Sequence, residues 1–362
     1  MLCEPFQLPC LFDSESANLT SRGARSAKGH ETARPHRLLF VLGKESATLP
    51  VYLRLSVTDR CNLRCRYCRT EVQTATAPGM PDEAMLGIVR AMARLVPIRK
   101  VRLTGGEPLL RVGLSALVGK LRRLLPSAEL AMTTNGTLLR DAAATLRDHG
   151  LDTVNISLDT TDPAHFARLT GGGRLESVLA GVEAARAAGF DRIRLNAVLL
   201  RSLRGEQLSD LVRFAARCGC ELRFLELMPI GAGALIYARE CQCADEALDA
   251  LRQAFGHPAP LPRSSNSRRY LFDVDGMAAT IGLIAPLSHP FCTGCDRLRL
   301  DAHGRLYPCL RSTEAWTLTA GPSDRHPDLA LGTGLRAAIR RKSAIQATDR
   351  VWPVRSMAAT GG

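Results

Sequence analysis

The chain has 362 residues, 46% of them hydrophobic, which is enough apolar material for a large core. It contains no run of about 18 uncharged apolar residues, so no transmembrane helix and no membrane partner are expected. Forty-eight Lys and Arg against 35 Asp and Glu leave a formal charge of +13, which suits a nucleotide, a nucleic acid or an acidic protein; 5% aromatic residues with no basic–aromatic repeat argue against the nucleic acid.

Residues 1–47 read as a disordered N-terminal extension. Ser21–Arg37 is rich in Arg, Ser, Gly and Ala, and residues 1–20 lack the basic and apolar blocks of a signal peptide. Glu4, Asp13, Glu15 and Glu31 argue against a transit peptide, so a cytoplasmic protein is expected. Residues 48–231 alternate short apolar runs with helical ones. The predicted strands are Val51–Val57, Lys100–Thr104, Glu129–Thr133, Thr153–Leu158, Arg192–Leu199 and Glu221–Leu227. The predicted helices are Asp82–Leu95, Leu114–Leu125, Leu138–His149, Leu175–Ala188 and Gly205–Cys218; in the fourth, Leu175, Val178, Leu179, Val182 and Ala185 mark one buried face. Such βα repeats give parallel strands, either as an open partial barrel or as a doubly wound sheet, and both place function at the carboxyl ends of the strands. The chemistry-bearing residues follow those ends: Cys61–Cys68, Gly105–Pro108, Asn135–Gly136, Asp159 and Met228–Gly231. From residue 232 to 362 the pattern changes to an accessory segment with a hairpin over Tyr270–Ile284.

Six of the twelve cysteines form two tight sets. Cys61, Cys65 and Cys68 are spaced C-x3-C-x2-C. A cubic 4Fe-4S cluster normally takes four thiolates, so three leave one iron open to a ligand. Gly105-Gly106-Glu107-Pro108 follows the second strand, where two glycines let backbone approach a small cofactor closely. The second set, Cys292, Cys295 and Cys309, is C-x2-C-x13-C, again three thiolates without an obvious fourth. Zinc is the alternative there, and it needs a fourth ligand such as His289 or His303. Arg297 and Arg299 alternate, so in a strand both face one side, suited to an anion.

The cysteine loop, with Tyr67 before its third cysteine, and the Gly-Gly-Glu-Pro turn together resemble the radical S-adenosylmethionine superfamily. With the second cysteine set, the sequence from about residue 50 to Leu310 resembles the GTP 3′,8-cyclases of molybdenum cofactor synthesis. The matching elements include Leu53–Cys61, Arg102–Pro108, Thr133–Gly136, Asn155–Asp159, Glu226–Pro229 and the terminal Gly361-Gly362. The expectation is therefore an α/β fold, a partial (β/α)6 TIM-like barrel with a C-terminal accessory segment that carries a second Fe-S cluster.

The resemblance implies two 4Fe-4S clusters, on Cys61, Cys65 and Cys68 and on Cys292, Cys295 and Cys309. Tyr67, Gly106, Ser157 and Met228 match positions that contact S-adenosylmethionine. Arg54, Arg102, Thr133, Arg194, Arg297 and Arg299 match positions that contact GTP, with Arg194 where the family usually has lysine. Arg297, Arg299, Gly361 and Gly362 are implied in catalysis, the Gly-Gly tail reaching into the active site. The radical from S-adenosylmethionine would remove the ribose 3′ hydrogen, and the carbon radical would attack carbon 8 of guanine. Implied partners are GTP, a reductant and a downstream molybdopterin-pathway enzyme; a homodimer is compatible. Two rival readings are a radical peptide maturase with an auxiliary cluster and a zinc-bound basic nucleic-acid-binding protein.

Overall fold

Six parallel strands in sequence order form the centre of the sheet: β1 Val51–Ser56, β2 Ile98–Thr104, β3 Glu129–Thr134, β4 Thr153–Ser157, β5 Arg192–Leu199 and β6 Glu221–Glu226. The computed structural model describes residues 51–68, 79–190, 192–203, 205–264, 266–318 and 327–344; the expected 1–47 extension and Gly361-Gly362 lie outside them. Between the strands run α1 Asp82–Leu95, α2 Leu114–Leu124, α3 Ala143–Asp148, α4 Pro163–Thr170, α5 Leu175–Ala187 and α6 Glu206–Cys218. α4 went unforeseen, although Asp162 caps it by accepting from the His165 amide and Pro163 starts it. The helix expected over Leu138–His149 is shorter. Gly136 has a positive φ of 79°, and the chain turns through Leu139 and Ala142 before helix begins.

After β6 come α7 Ala232–Glu240, α8 Ala244–Phe255, β7 Ala259–Ser264, β8 Ser267–Val274, β9 Met277–Ile284, β10 Arg297–Leu300, β11 Arg305–Tyr307, β12 Trp316–Thr317 and α9 Pro327–Ala344. The predicted hairpin is β8–β9, turned by Asp275 and Gly276, both at positive φ. This segment is built into the sheet at both edges. β9 pairs parallel with β6, and β10 pairs parallel with β1, giving twelve strands in the order β12-β11-β10-β1-β2-β3-β4-β5-β6-β9-β8-β7. The described residues from Val51 onward belong to one compact unit. Among the described residues no helix is long and apolar enough to cross a membrane.

Strand alternation sets the two faces. Leu53, Leu55, Val101 and Leu103 are fully buried and share one apolar core with Met85, Val89 and Met92 of α1; burying such a side chain contributes about 1.5–3 kcal/mol. The opposite face carries Tyr52, Arg54, Arg102, Thr133, Asn155, Arg194 and Arg223, all around one cavity. A closed barrel fills these positions with branched apolar side chains. Here they are polar, and the sheet curves round an open interior. Glu226 ties the end of β6 to the accessory segment: it accepts from the Ala244, Leu287 and Ser288 amides and from the Ser288 hydroxyl.

Candidate active site

All six motif cysteines line a single cavity of about 540 Å³, and among its described lining residues there is no histidine. Arg54, Arg102, Thr133, Arg194, Arg297, Arg299, Tyr67, Gly106, Ser157 and Met228 line it too.

At one end the Cys61–Cys68 loop leaves β1 and is fixed from several sides. Gly106 donates to the Thr58 carbonyl at 2.9 Å, and Glu107 donates to the Arg60 carbonyl at 2.7 Å. A Cβ on Gly105, at φ 148°, would stand 2.2 Å from the Thr58 oxygen, and one on Gly106 would stand 2.2 Å from the Arg60 oxygen. Only glycines allow the turn to lie against the cysteine loop. Glu107 stays buried, accepting from Leu109 N, Thr134 Oγ1 and Asn135 N, while burial pushes its carboxyl up to about 7. Asn135 in turn donates to Asn62 Oδ1 at 2.8 Å and to the Cys61 sulfur at 3.8 Å. Tyr67 donates to Asp159 Oδ2 at 2.7 Å, and Val198 N donates to Asp159 Oδ1 at 2.7 Å. Burial pushes the Cys65 thiol well up, with Cys68, Asp159 and Cys61 adding to it.

The second cysteine set reaches the cavity because β10 lies beside β1, with Arg297 paired to Tyr52 and Arg299 to Arg54. Arg311 Nη2 stands 3.4 Å from the Cys292 sulfur, and Lys342 Nζ, from α9, 3.4 Å from the Cys295 sulfur. Burial pushes the Cys295 thiol up, but Lys342 and Arg297 outweigh it and hold the thiol below its ordinary value.

A cationic row joins the two ends: Arg299, Arg54 and Arg102 occupy adjacent register positions on β10, β1 and β2. Burial and then Arg299 hold Arg54 well below its usual value, and burial and Arg297 bring Arg299 to about 10. Tyr52 measures the field. Burial alone would raise its phenol, yet Arg102, Arg54, Lys100 and Arg297 bring it down to about 7. Arg102 Nε donates to its oxygen at 2.5 Å, and the Arg297 guanidinium lies 5.6 Å from its ring centroid. So much positive charge in a concave site is arranged for a polyanion.

Tyr52, Lys100, Arg223, Arg311 and Lys342 line the cavity and were not singled out from the sequence. For Lys100 and Arg223 the available signal was period two, Lys100-x-Arg102 on one strand and Glu221-x-Arg223 on another.

The residues present fit the implied clusters and ligands. The six cysteines face one space and none is paired in a disulfide. The Asn155 and Asn196 Oδ1 atoms are buried at the cavity without a partner, acceptors suited to a polar ligand. The zinc alternative loses both its histidines, because neither lines the cavity: His289 Nε2 pairs with Asp245 at 2.7 Å and His303 Nε2 with Asp59 at 3.2 Å. Among the described residues no group of three or more His, Cys, Asp or Glu could hold a single metal ion.

A partial parallel barrel with a three-cysteine loop after its first strand and a Gly-Gly-Glu-Pro turn after its second defines a radical S-adenosylmethionine protein, and residues 55–215 match the Radical SAM superfamily. Such a protein carries a 4Fe-4S cluster and S-adenosylmethionine. Residues 220–347 match Molybdenum Cofactor Synthesis C. Over 322 residues the chain is 43% identical to GTP 3′,8-cyclase 2 of Mycobacterium tuberculosis, covering 86% of this chain and 89% of that protein. It is 40% identical to GTP 3′,8-cyclase 1 of Pseudomonas aeruginosa, covering 86% and 96%. The chain belongs to the GTP 3′,8-cyclase family. In fold it is similar to Streptococcus suis SuiB bound to the precursor peptide SuiA, with a TM-score of 0.57 at 14% identity over 80% of this chain and 67% of that one.

Proposed function

We propose that the protein converts GTP to 3′,8-cyclo-7,8-dihydro-GTP, the first step of molybdenum cofactor synthesis. One observation carries this: both cysteine sets and the arginine row face the same cavity, so a cofactor at one end and a nucleotide at the other can touch.

In this reading Cys61, Cys65 and Cys68 hold the first 4Fe-4S cluster. Tyr67, Gly106, Ser157 and Met228 surround S-adenosylmethionine. Bound there, the pair supplies hydrogen-atom abstraction directed at the ribose 3′ carbon. Cys292, Cys295 and Cys309 hold a second 4Fe-4S cluster against the guanine ring. Arg54, Arg102, Thr133, Arg194, Arg297 and Arg299 hold GTP through charge-assisted hydrogen bonds of about 1.5–3 kcal/mol each. These contacts keep the ribose within about 3–3.5 Å of the reacting group, the distance abstraction requires. Arg297 or Arg299 assists reduction of the closed ring. Gly361 and Gly362, outside the described residues, are assigned to the same site by resemblance. A reductant, a downstream molybdopterin-pathway enzyme, a homodimeric assembly and a cytoplasmic setting complete the proposal.

The test is anaerobic incubation of reconstituted protein with GTP, S-adenosylmethionine and a reductant. A cyclised guanine nucleotide formed in step with 5′-deoxyadenosine is expected. No cyclised nucleotide, with 5′-deoxyadenosine appearing only when a peptide is added, would make the protein a peptide maturase.

A further inference from the structure

Arg194 on β5 and Arg223 on β6 line the cavity, whereas Glu221 stands behind them and does not. Arg194 Nε donates to Glu221 Oε2 at 3.0 Å, and Arg223 Nε donates to Oε1 at 2.8 Å. One carboxylate thus grips two guanidiniums, each at its inner nitrogen. Among the described residues their outer Nη nitrogens make no hydrogen bond. A third cation backs the carboxylate, with Arg269 Nε on β8 at 3.7 Å from Oε1. Gly282 on β9 packs beside this group: a Cβ there would stand 2.4 Å from Ser267 Oγ and 3.2 Å from Arg223 Cγ.

An arginine tethered at Nε still presents two parallel donors at its outer edge, a fork that matches phosphate oxygens. A lysine carries its three donors on one nitrogen, so a carboxylate that holds it draws the same atom away from the phosphates and leaves no preset fork. The arginine at 194 therefore gains from a carboxylate behind it. Tethering also removes rotamer freedom before the ligand arrives, so less is lost on binding. The carboxylate meanwhile offsets the repulsion between the two guanidiniums, which with burial brings Arg223 down to about 10.

We propose that Glu221 is a positioning residue that presets Arg194 and Arg223 as a double fork for the polyphosphate, so that it governs affinity for the phosphates and not for the guanosine. The proposal rests on the reading that Arg194 meets the phosphates of GTP.

The experiment compares GTP and guanosine binding to anaerobically reconstituted holoenzyme and to its Glu221→Gln variant, which keeps the shape and loses the charge. GTP affinity is expected to fall roughly tenfold, while guanosine affinity changes less than about twofold. KM for GTP rises with it, kcat holds, and the cluster absorbance is unchanged. In an Arg194→Lys background the same change is expected to cost less than about threefold, because a lysine has no inner nitrogen for the anchor to hold apart from its phosphate contact. Equal losses for GTP and guanosine, or an undiminished tenfold loss in the Arg194→Lys background, would overturn the proposal. Arg194→Met separates the two readings. If it weakens GTP while Glu221→Gln does not, only the positioning role falls; if it leaves GTP binding unchanged, the phosphate reading falls as well.

Discussion

The two ends of the cavity each present three cysteines, in different electrical surroundings. At the first, the Cys65 thiol is pushed up by burial, by its neighbour Cys68 and by the Asp159 carboxylate. At the second, Lys342 and Arg297 overcome burial and pull the Cys295 thiol down, while at Cys292 burial outweighs Arg311 and pushes the thiol up. An acidic pocket tolerates a cationic sulfonium and a cationic one welcomes a nucleotide, so under the proposed function the difference would give the two ligands one orientation.

The strongest way to break this comparison is to remove one end. Cys295→Ala is expected to reduce iron from about eight to about four per chain. S-Adenosylmethionine cleavage should persist, while cyclised product falls more than about a hundredfold, because the base is no longer held in place. Iron analysis and product assay read this directly; loss of cofactor cleavage in step with cyclisation would show that the ends are not separable. A smaller change sharpens the contrast. Removing the charge 3.4 Å from the Cys295 sulfur, by Lys342→Ala, should lower the second cluster's potential by roughly 60 mV, about a tenfold change in its one-electron equilibrium, and leave the first unchanged. Lys342→Arg should restore the potential. Redox titration followed by electron spin resonance distinguishes the two clusters.

The six cysteines and five of the six central strands could be read almost to the residue, because thiolate spacing and apolar alternation are local signals. β2 begins two residues earlier than expected, at Ile98. What the sequence hid was the pairing of β10 with β1, which brings Arg297 beside Tyr52 across more than two hundred residues. No local pattern encodes a parallel neighbour at that separation. The same pairing explains why the accessory segment is part of the sheet and why Tyr52, unremarkable as a strand aromatic, sits among four cations. Glu221 was legible as a strand residue, but its two guanidinium partners on adjacent strands depend on register.

Tyr52 gives the smallest test. The surrounding cations favour its anion and bring the phenol down to about 7 against the effect of burial. Under the proposed function the phenolate would compete with the phosphates of GTP, so nucleotide binding would return its proton. Affinity should therefore fall as pH rises through that value, by about fourfold between about pH 6 and about pH 7.5. Tyr52→Phe should remove this component and leave the nucleotide's own titration. Equal pH profiles for the two proteins would show that the cationic row does not act on Tyr52 as described.

The account depends on the first and second ends sharing one space, so that hydrogen passes between the ligands held at each. GTP deuterated at the ribose 3′ carbon tests this most directly. The account predicts that anaerobic turnover places that deuterium in 5′-deoxyadenosine. Unlabelled 5′-deoxyadenosine formed alongside intact deuterated GTP would contradict it.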